Sequence, residues 1–138
     1  MFLAGAATVA LGGCMRLDRK DAVRTIVLRV PSVSRHVFWE KVQGYATQNR
    51  LAADLFPQRP GTVRNFTFLL RGRGLDIVGR NNAYDPLQPN DYGIAFYAAP
   101  LFGAPAVTIN RFADVFRDTL VSEHSVQLIS DSGMASAK

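Results

Sequence analysis

An α+β fold is what this chain predicts: an open-faced sandwich with an antiparallel or mixed sheet and two helices on one face. Three observations carry that reading. Short segments place an apolar residue at every second position, two longer segments place apolar residues at helical spacing, and clusters of Pro, Gly, Asn and Asp separate them. The resulting order, β-α-β-β-β-α-β, has too few helices to cover both sides of a sheet. Both are therefore laid on one face, in an arrangement of ferredoxin-like type.

Residues 24–30 (RTIVLRV) are β-branched and aliphatic and stop at Pro31, so they form the first strand. Ser32 or Ser34 then caps a helix over 34–50, in which Phe38, Val42 and Tyr45 recur at i, i+4 and i+7. Residues 55–62 hold two prolines and a glycine and read as a loop. Phe66, Phe68 and Leu70 share a face of a strand over 65–71, and Leu75, Ile77 and Gly79 alternate likewise after a hairpin turn at Arg71-Gly72-Arg73-Gly74. Residues 81–91 form a long polar loop and 92–98 a further strand. After a turn-rich connection at 100–105, the second helix over 108–120 carries Ile109, Phe112, Val115, Phe116 and Leu120 along one stripe, with Arg111, Asp114, Arg117 and Asp118 on its wet side. A short strand at 126–130 completes the sheet. The expected core is aromatic: Phe38, Phe66, Phe68, Phe96, Phe112 and Phe116.

The first thirteen residues carry no charge and run through small residues into Leu11-Gly12-Gly13-Cys14, where Cys14 is the only cysteine. This stretch resembles the lipobox of bacterial lipoproteins. The resemblance implies cleavage before Cys14, diacylglycerol on its sulfur and an acyl chain on its new amino group. It also implies an address. In that class an aspartate directly after the cysteine holds the protein at the inner membrane, and Met15 stands there instead, which places the anchor in the periplasmic leaflet of the outer membrane. The apolar run is too short to span a bilayer, which takes about 20 residues. No basic residue precedes it, so translation is expected to start upstream of Met1. On this reading residues 1–13 are a signal-peptide remnant, 14–23 a lipidated cysteine and tether, 24–130 one domain, and 131–138 a disordered tail.

With Cys14 acylated no thiol remains for a disulfide, and packing alone must stabilise the domain. All charged residues follow Cys14, so the net charge of +5 belongs to the mature part. It favours anionic partners such as phospholipid headgroups, lipopolysaccharide phosphates or an acidic protein, and nucleic acid is not expected. The chemistry-bearing residues are sparse. His36 and His124 have no triad neighbour, and with Glu123 they make no metal spacing, so neither a catalytic residue, a metal nor a cofactor is expected. Asn81, Asn82, Asp85, Asn90 and Asp91 offer hard oxygen ligands, but they match no known calcium loop and are ordinary turn formers.

The densest basic cluster is Arg64, Arg71, Arg73 and Arg80, with Tyr84 and Tyr92 flanking the next loop. In a strand Arg71 and Arg73 project from one side, a fork for phosphate or carboxylate; the competing reading is a basic edge that discourages strand-to-strand aggregation. Together these residues describe a candidate binding surface for a protein partner or anionic lipid. The function expected is that of a small envelope lipoprotein, a binding or accessory module without catalysis. The alternatives are an inhibitor or immunity-type lipoprotein that blocks a toxin enzyme and, last, a small hydrolase using His124 or His36.

Overall fold

The computed structural model describes residues 21–56, 67–81, 90–122 and 125–133. In chain order the elements are β1 (Arg24–Arg29), a 3-10 turn (Ser32–Ser34), α1 (Arg35–Gln48), β2 (Ala52–Phe56), β3 (Thr67–Gly72), β4 (Leu75–Asn81), β5 (Asp91–Ala98), α2 (Ala106–Val121) and β6 (Gln127–Asp131). The six strands form one sheet in the order β2-β3-β4-β5-β1-β6, with every neighbouring pair antiparallel. The α+β reading with two helices and an open antiparallel sheet therefore holds. It follows from the pairings that β5 and β6, joined by α2, run parallel with β1 wedged between them. The strands joined by α1, β1 and β2, also run parallel, with three strands intervening. This order does not by itself establish the ferredoxin-like type.

One strand was illegible in sequence. Residues 55 and 56 fall in the expected loop, yet Ala52–Phe56 pairs along its whole length with β3, from Ala52 opposite Arg71 to Phe56 opposite Thr67. Only Leu55 of this edge strand is buried, and Ala53 on the same face is exposed, so AADLF carries no row of buried residues to read. Its order comes from the ladder to β3 rather than from a buried face.

Residues directly opposite in a ladder share a face, and the register puts Ile26, Leu28, Phe68, Leu70, Leu75, Ile77, Tyr92, Ile94 and Phe96 on the same one. Both helices cover it. From α1 come Phe38, Trp39, Val42 and Tyr45, and from α2 Ile109, Ala113, Phe116 and Leu120. Phe116 is the centre of the layer: its ring meets Tyr45 edge-on at 4.9 Å and Phe96 at 5.5 Å, and lies 6.2 Å from Phe68. Phe38 packs on Tyr92 at 4.9 Å. Across the β3–β4 ladder Phe68 lies over Gly79, where a Cβ would fall 2.2 Å from its Cζ, so only glycine fits beneath the ring. Phe112 is only partly buried, and Phe66 lies outside the described residues.

Three further expectations are corrected. Val115 is half exposed while Ala113 is buried, because Ile109, Ala113, Phe116 and Leu120 make the straight stripe and Val115 lies about 120° round the helix from it. Ser34 occupies the N-cap position of α1, but its hydroxyl meets that of Ser125 at 2.5 Å instead of capping the helix. The last strand runs through Asp131, and Ser132 accepts a hydrogen bond from the Thr25 amide at 2.9 Å, so the fold continues past residue 130. Among the described residues no helix is long and apolar enough to cross a membrane.

Phe116→Ala is expected to destabilise the domain by about 3 to 5 kcal/mol, whereas Val115→Ala should stay within about 0.5 kcal/mol of the parent. Urea unfolding of both variants checks this. A loss below ~1 kcal/mol at Phe116 would mean that α2 presents a different face to the sheet.

Candidate functional site

The chain converges repeatedly on one end of the sheet, here termed the tip. Register places there the start of β1 (Arg24 opposite Phe96), the start of β2 (Ala52 opposite Arg71), the β3–β4 turn (Leu75 opposite Ala98) and the end of β6 (Asp131 opposite Ile26). The β5–α2 connection, residues 99–105, also belongs to this end, since it leaves Ala98 directly.

A buried charge cluster fastens the tip from inside. Arg24 lies on the core face of β1 and is almost wholly buried. Its guanidinium binds Asp131 with two hydrogen bonds of 2.8 Å, from Nε to Oδ1 and from Nη2 to Oδ2, and Nη2 also lies 2.7 Å from Asp114 Oδ1. Arg117 Nη1 donates to the same Asp131 Oδ2 at 2.8 Å, and the Gly133 amide donates to Oδ1 at 2.9 Å. Burial alone would raise the pKa of Asp131, but the hydrogen bonds from Arg24, Arg117 and Gly133 outweigh it and hold the carboxyl down at about 2. Planar bidentate pairing of this kind fixes direction as well as charge. It locks the first residue of β1, the last of β6 and one face of α2 into a single arrangement.

On the outside the β3–β4 turn and the 99–105 connection are built around one carbonyl. Arg73 and Gly74 both have positive φ, 55° and 83°, as tight two-residue hairpins demand. Gly74 O accepts hydrogen bonds from the amides of Ala99 at 2.9 Å and Ala104 at 2.8 Å, so the connection curls around it. A Cβ on Gly74 would lie 2.7 Å from Ala104 N, which reserves the position for glycine. The curl throws Leu101 and Phe102 into solvent, 77% and 97% exposed, with Phe102 itself at φ 55°. Val107, on the first turn of α2, is 65% exposed. Arg50 is exposed between α1 and β2, and its carbonyl lies 3.2 Å from where a Cβ on Gly72 would sit, which puts it beside the hairpin.

The structure redistributes the residues singled out in the sequence. Arg71 and Arg73 are both exposed at the tip but do not form a fork. Arg71, on the face away from the helices, lies 3.9 Å from Asp76, while Arg73 turns toward α2, its Cζ 5.7 Å from the Phe112 ring centroid. Strand alternation ends where the two-residue turn begins, and Arg73 lies inside that turn. Arg80 sits opposite Gly93 and Thr67, toward the other end of the sheet. Arg64, Tyr84 and Cys14 lie outside the described residues, as do His124 and Glu123. Tyr92 is corrected from surface to core. It is fully buried against Phe38, and burial pushes its phenol pKa up while Arg35 pulls the other way.

Of the polar loop oxygens, Asp91 is buried and bound by Arg29 at 2.7 and 3.1 Å. Asn90 accepts from Arg35 at 3.2 Å through its side chain and from the Val30 amide at 2.9 Å through its carbonyl. His36 is exposed and lies 3.1 Å from Glu40 one helical turn on. Among the described residues no group of three or more His, Cys, Asp or Glu is arranged to hold a metal ion. Sequence reasoning missed Arg50, Leu101, Phe102 and Val107. The available signal was two large apolar residues inside a turn bounded by Pro100 and Gly103, where no helix or strand period required them.

A carboxylate whose pKa is lowered by folding contributes stability that is complete above its unfolded value, near 4, and is lost as pH falls through the folded one. For Asp131 that window runs down to about 2, and the loss is on the order of 2 kcal/mol. Asp131→Asn should be less stable at neutral pH and flatter across the acid window in a pH series of urea unfolding. Equal acid sensitivity in the two proteins would contradict the arrangement. Neither a protein-family model nor a curated protein matches this chain.

Proposed function

We propose that this protein is a small envelope lipoprotein, anchored through Cys14 in the periplasmic leaflet of the outer membrane, that acts by contact as a binding or accessory module and not by catalysis. The observation that carries the reading is the composition of the tip. Arg50, Arg71 and Arg73 stand exposed beside solvent-facing Leu101 and Phe102, a mixture of cationic and apolar groups suited to an anionic partner. The start of β1 lies at the same end, and Cys14 precedes Val23 by nine residues, a length of chain that reaches at most about 30 Å. An anchor there keeps the tip near the bilayer.

The fold is read as an enlarged relative of the ferredoxin-like type. Support for that comes from the two helical crossovers, each of which joins parallel strands separated by others, as in a split β-α-β unit.

The protein is expected to incorporate labelled palmitate and to partition with membranes, and Cys14→Ser should abolish both. Membrane partition unchanged in the variant would refute the anchor. Arg71→Glu/Arg73→Glu is expected to reduce recovery of the protein's envelope partner in a pull-down while altering stability by only about 0 to 1 kcal/mol per site. Undiminished recovery would remove the hairpin from the contact surface.

A further inference from the structure

We infer that the Leu101–Phe102 protrusion is an interfacial insertion loop, which enters the headgroup–acyl boundary of an anionic bilayer while Arg73, Arg71 and Arg50 meet the lipid phosphates. The inference rests on the reading of the tip as a contact surface but is independent of acylation at Cys14.

The shape of the feature selects the occupant. Phe102 is 97% exposed and Leu101 77%, so they form a projection, not the wall of a groove. A projection inserts into any fluid apolar layer, whereas a folded protein would have to offer a matching pocket. Phe102 gains almost no burial from its own domain, yet the backbone holds it at φ 55°, a conformation that a non-glycine residue adopts only when its surroundings enforce it. The enforcement is visible in the two amides, Ala99 and Ala104, that converge on Gly74 O. The loop is thus a shaped wedge fixed to the hairpin.

Charge completes the match. Arg73 precedes the glycine on which the wedge is hung, and Arg71 and Arg50 flank Gly72. Arg71, exposed on the sheet, lies 3.9 Å from Asp76, its cross-strand neighbour in β4. Along the outer side of α2, exposed Val107 and Arg111 stand one turn apart and continue the alternation of apolar and cationic groups. Apolar side chains ringed by arginine are the composition of surfaces that bind anionic lipid, where insertion and phosphate attraction add. The start of β1 leaves from the same end, so a membrane at the tip is compatible with the direction from which the preceding chain arrives.

The test uses the full chain carrying Cys14→Ser, which has no acyl chain, in co-sedimentation with vesicles. Binding is expected to vesicles of phosphatidylethanolamine with about 30% phosphatidylglycerol, much less to phosphatidylcholine alone, and to weaken markedly at about 0.5 M salt. Leu101→Ser/Phe102→Ser should lower the partition coefficient by about tenfold or more, with an unchanged circular dichroism spectrum. If the double variant proves misfolded, Phe102→Gly, which relieves the positive φ, replaces it with the same expected loss. Partition into anionic vesicles that is absent, or that survives both sets of substitutions within about twofold, overturns the inference. Should the Leu101 and Phe102 variants lose a captured envelope protein while vesicle binding is absent in the parent, the tip docks protein. The bilayer inference then fails while the contact-surface reading stands.

Discussion

A single buried pair, Arg24 with Asp131, decides how the two termini of this domain meet. Each residue lies on the helix-facing side of its strand, where the neighbouring positions are Ile26 and Leu128. Charges in such a place are tolerated only when paired and fully hydrogen-bonded. Here the requirement is met by geometry. The fork of Arg24 takes both oxygens of Asp131, Arg117 shares one of them, and Asp114 on α2 meets the same Nη2 of Arg24 that donates to Asp131. The consequence is directional: β6 can close the sheet beside β1 only in the register that brings these groups together, and α2 must cross above both.

The tip inherits its form from that closure. With β1, β6 and α2 fixed, the 99–105 connection turns back within a few residues of Ala98, and it does so around the carbonyl of Gly74. The helix-facing side of the sheet is satisfied by apolar packing, chiefly Phe116 among Tyr45, Phe68 and Phe96. Leu101 and Phe102, which the core does not absorb, lie at the end that also carries Arg50, Arg71 and Arg73. Structure and proposed contact are linked here: rigid strands hold a hairpin, the hairpin holds a loop, and the loop presents side chains that have no role in the core.

Much of the scaffold was legible because its residues obey a single period. Leu75, Ile77 and Gly79 in β4, and Phe38, Val42 and Tyr45 in α1, face the core as their spacing requires. Legibility failed where burial was not apolar or where periodicity stopped. In sequence Arg24 reads as a solvated strand start and Asp131 as the first residue of a tail, since nothing local marks two residues so far apart as partners. Ala52–Phe56 is ordered by its neighbour and not by a face of its own. Arg73 lies within a turn, so alternation misplaced it relative to Arg71. Tyr92 reads as a loop boundary but continues the inward row of β5. Phe102 is the opposite case, an aromatic residue inside a turn-rich connection that the fold leaves 97% exposed.

The most direct test of the claim that a buried charge pair organises this end of the domain is a double-mutant cycle on Arg24→Met and Asp131→Leu, read by urea unfolding at neutral pH. Each single substitution leaves a buried charge behind and should cost about 3 to 5 kcal/mol. The double variant should be far less impaired than the sum, with a coupling of about 2 kcal/mol or more. A coupling below about 0.5 kcal/mol would show that the two residues stabilise the fold independently, and the account of how the tip is held would be wrong.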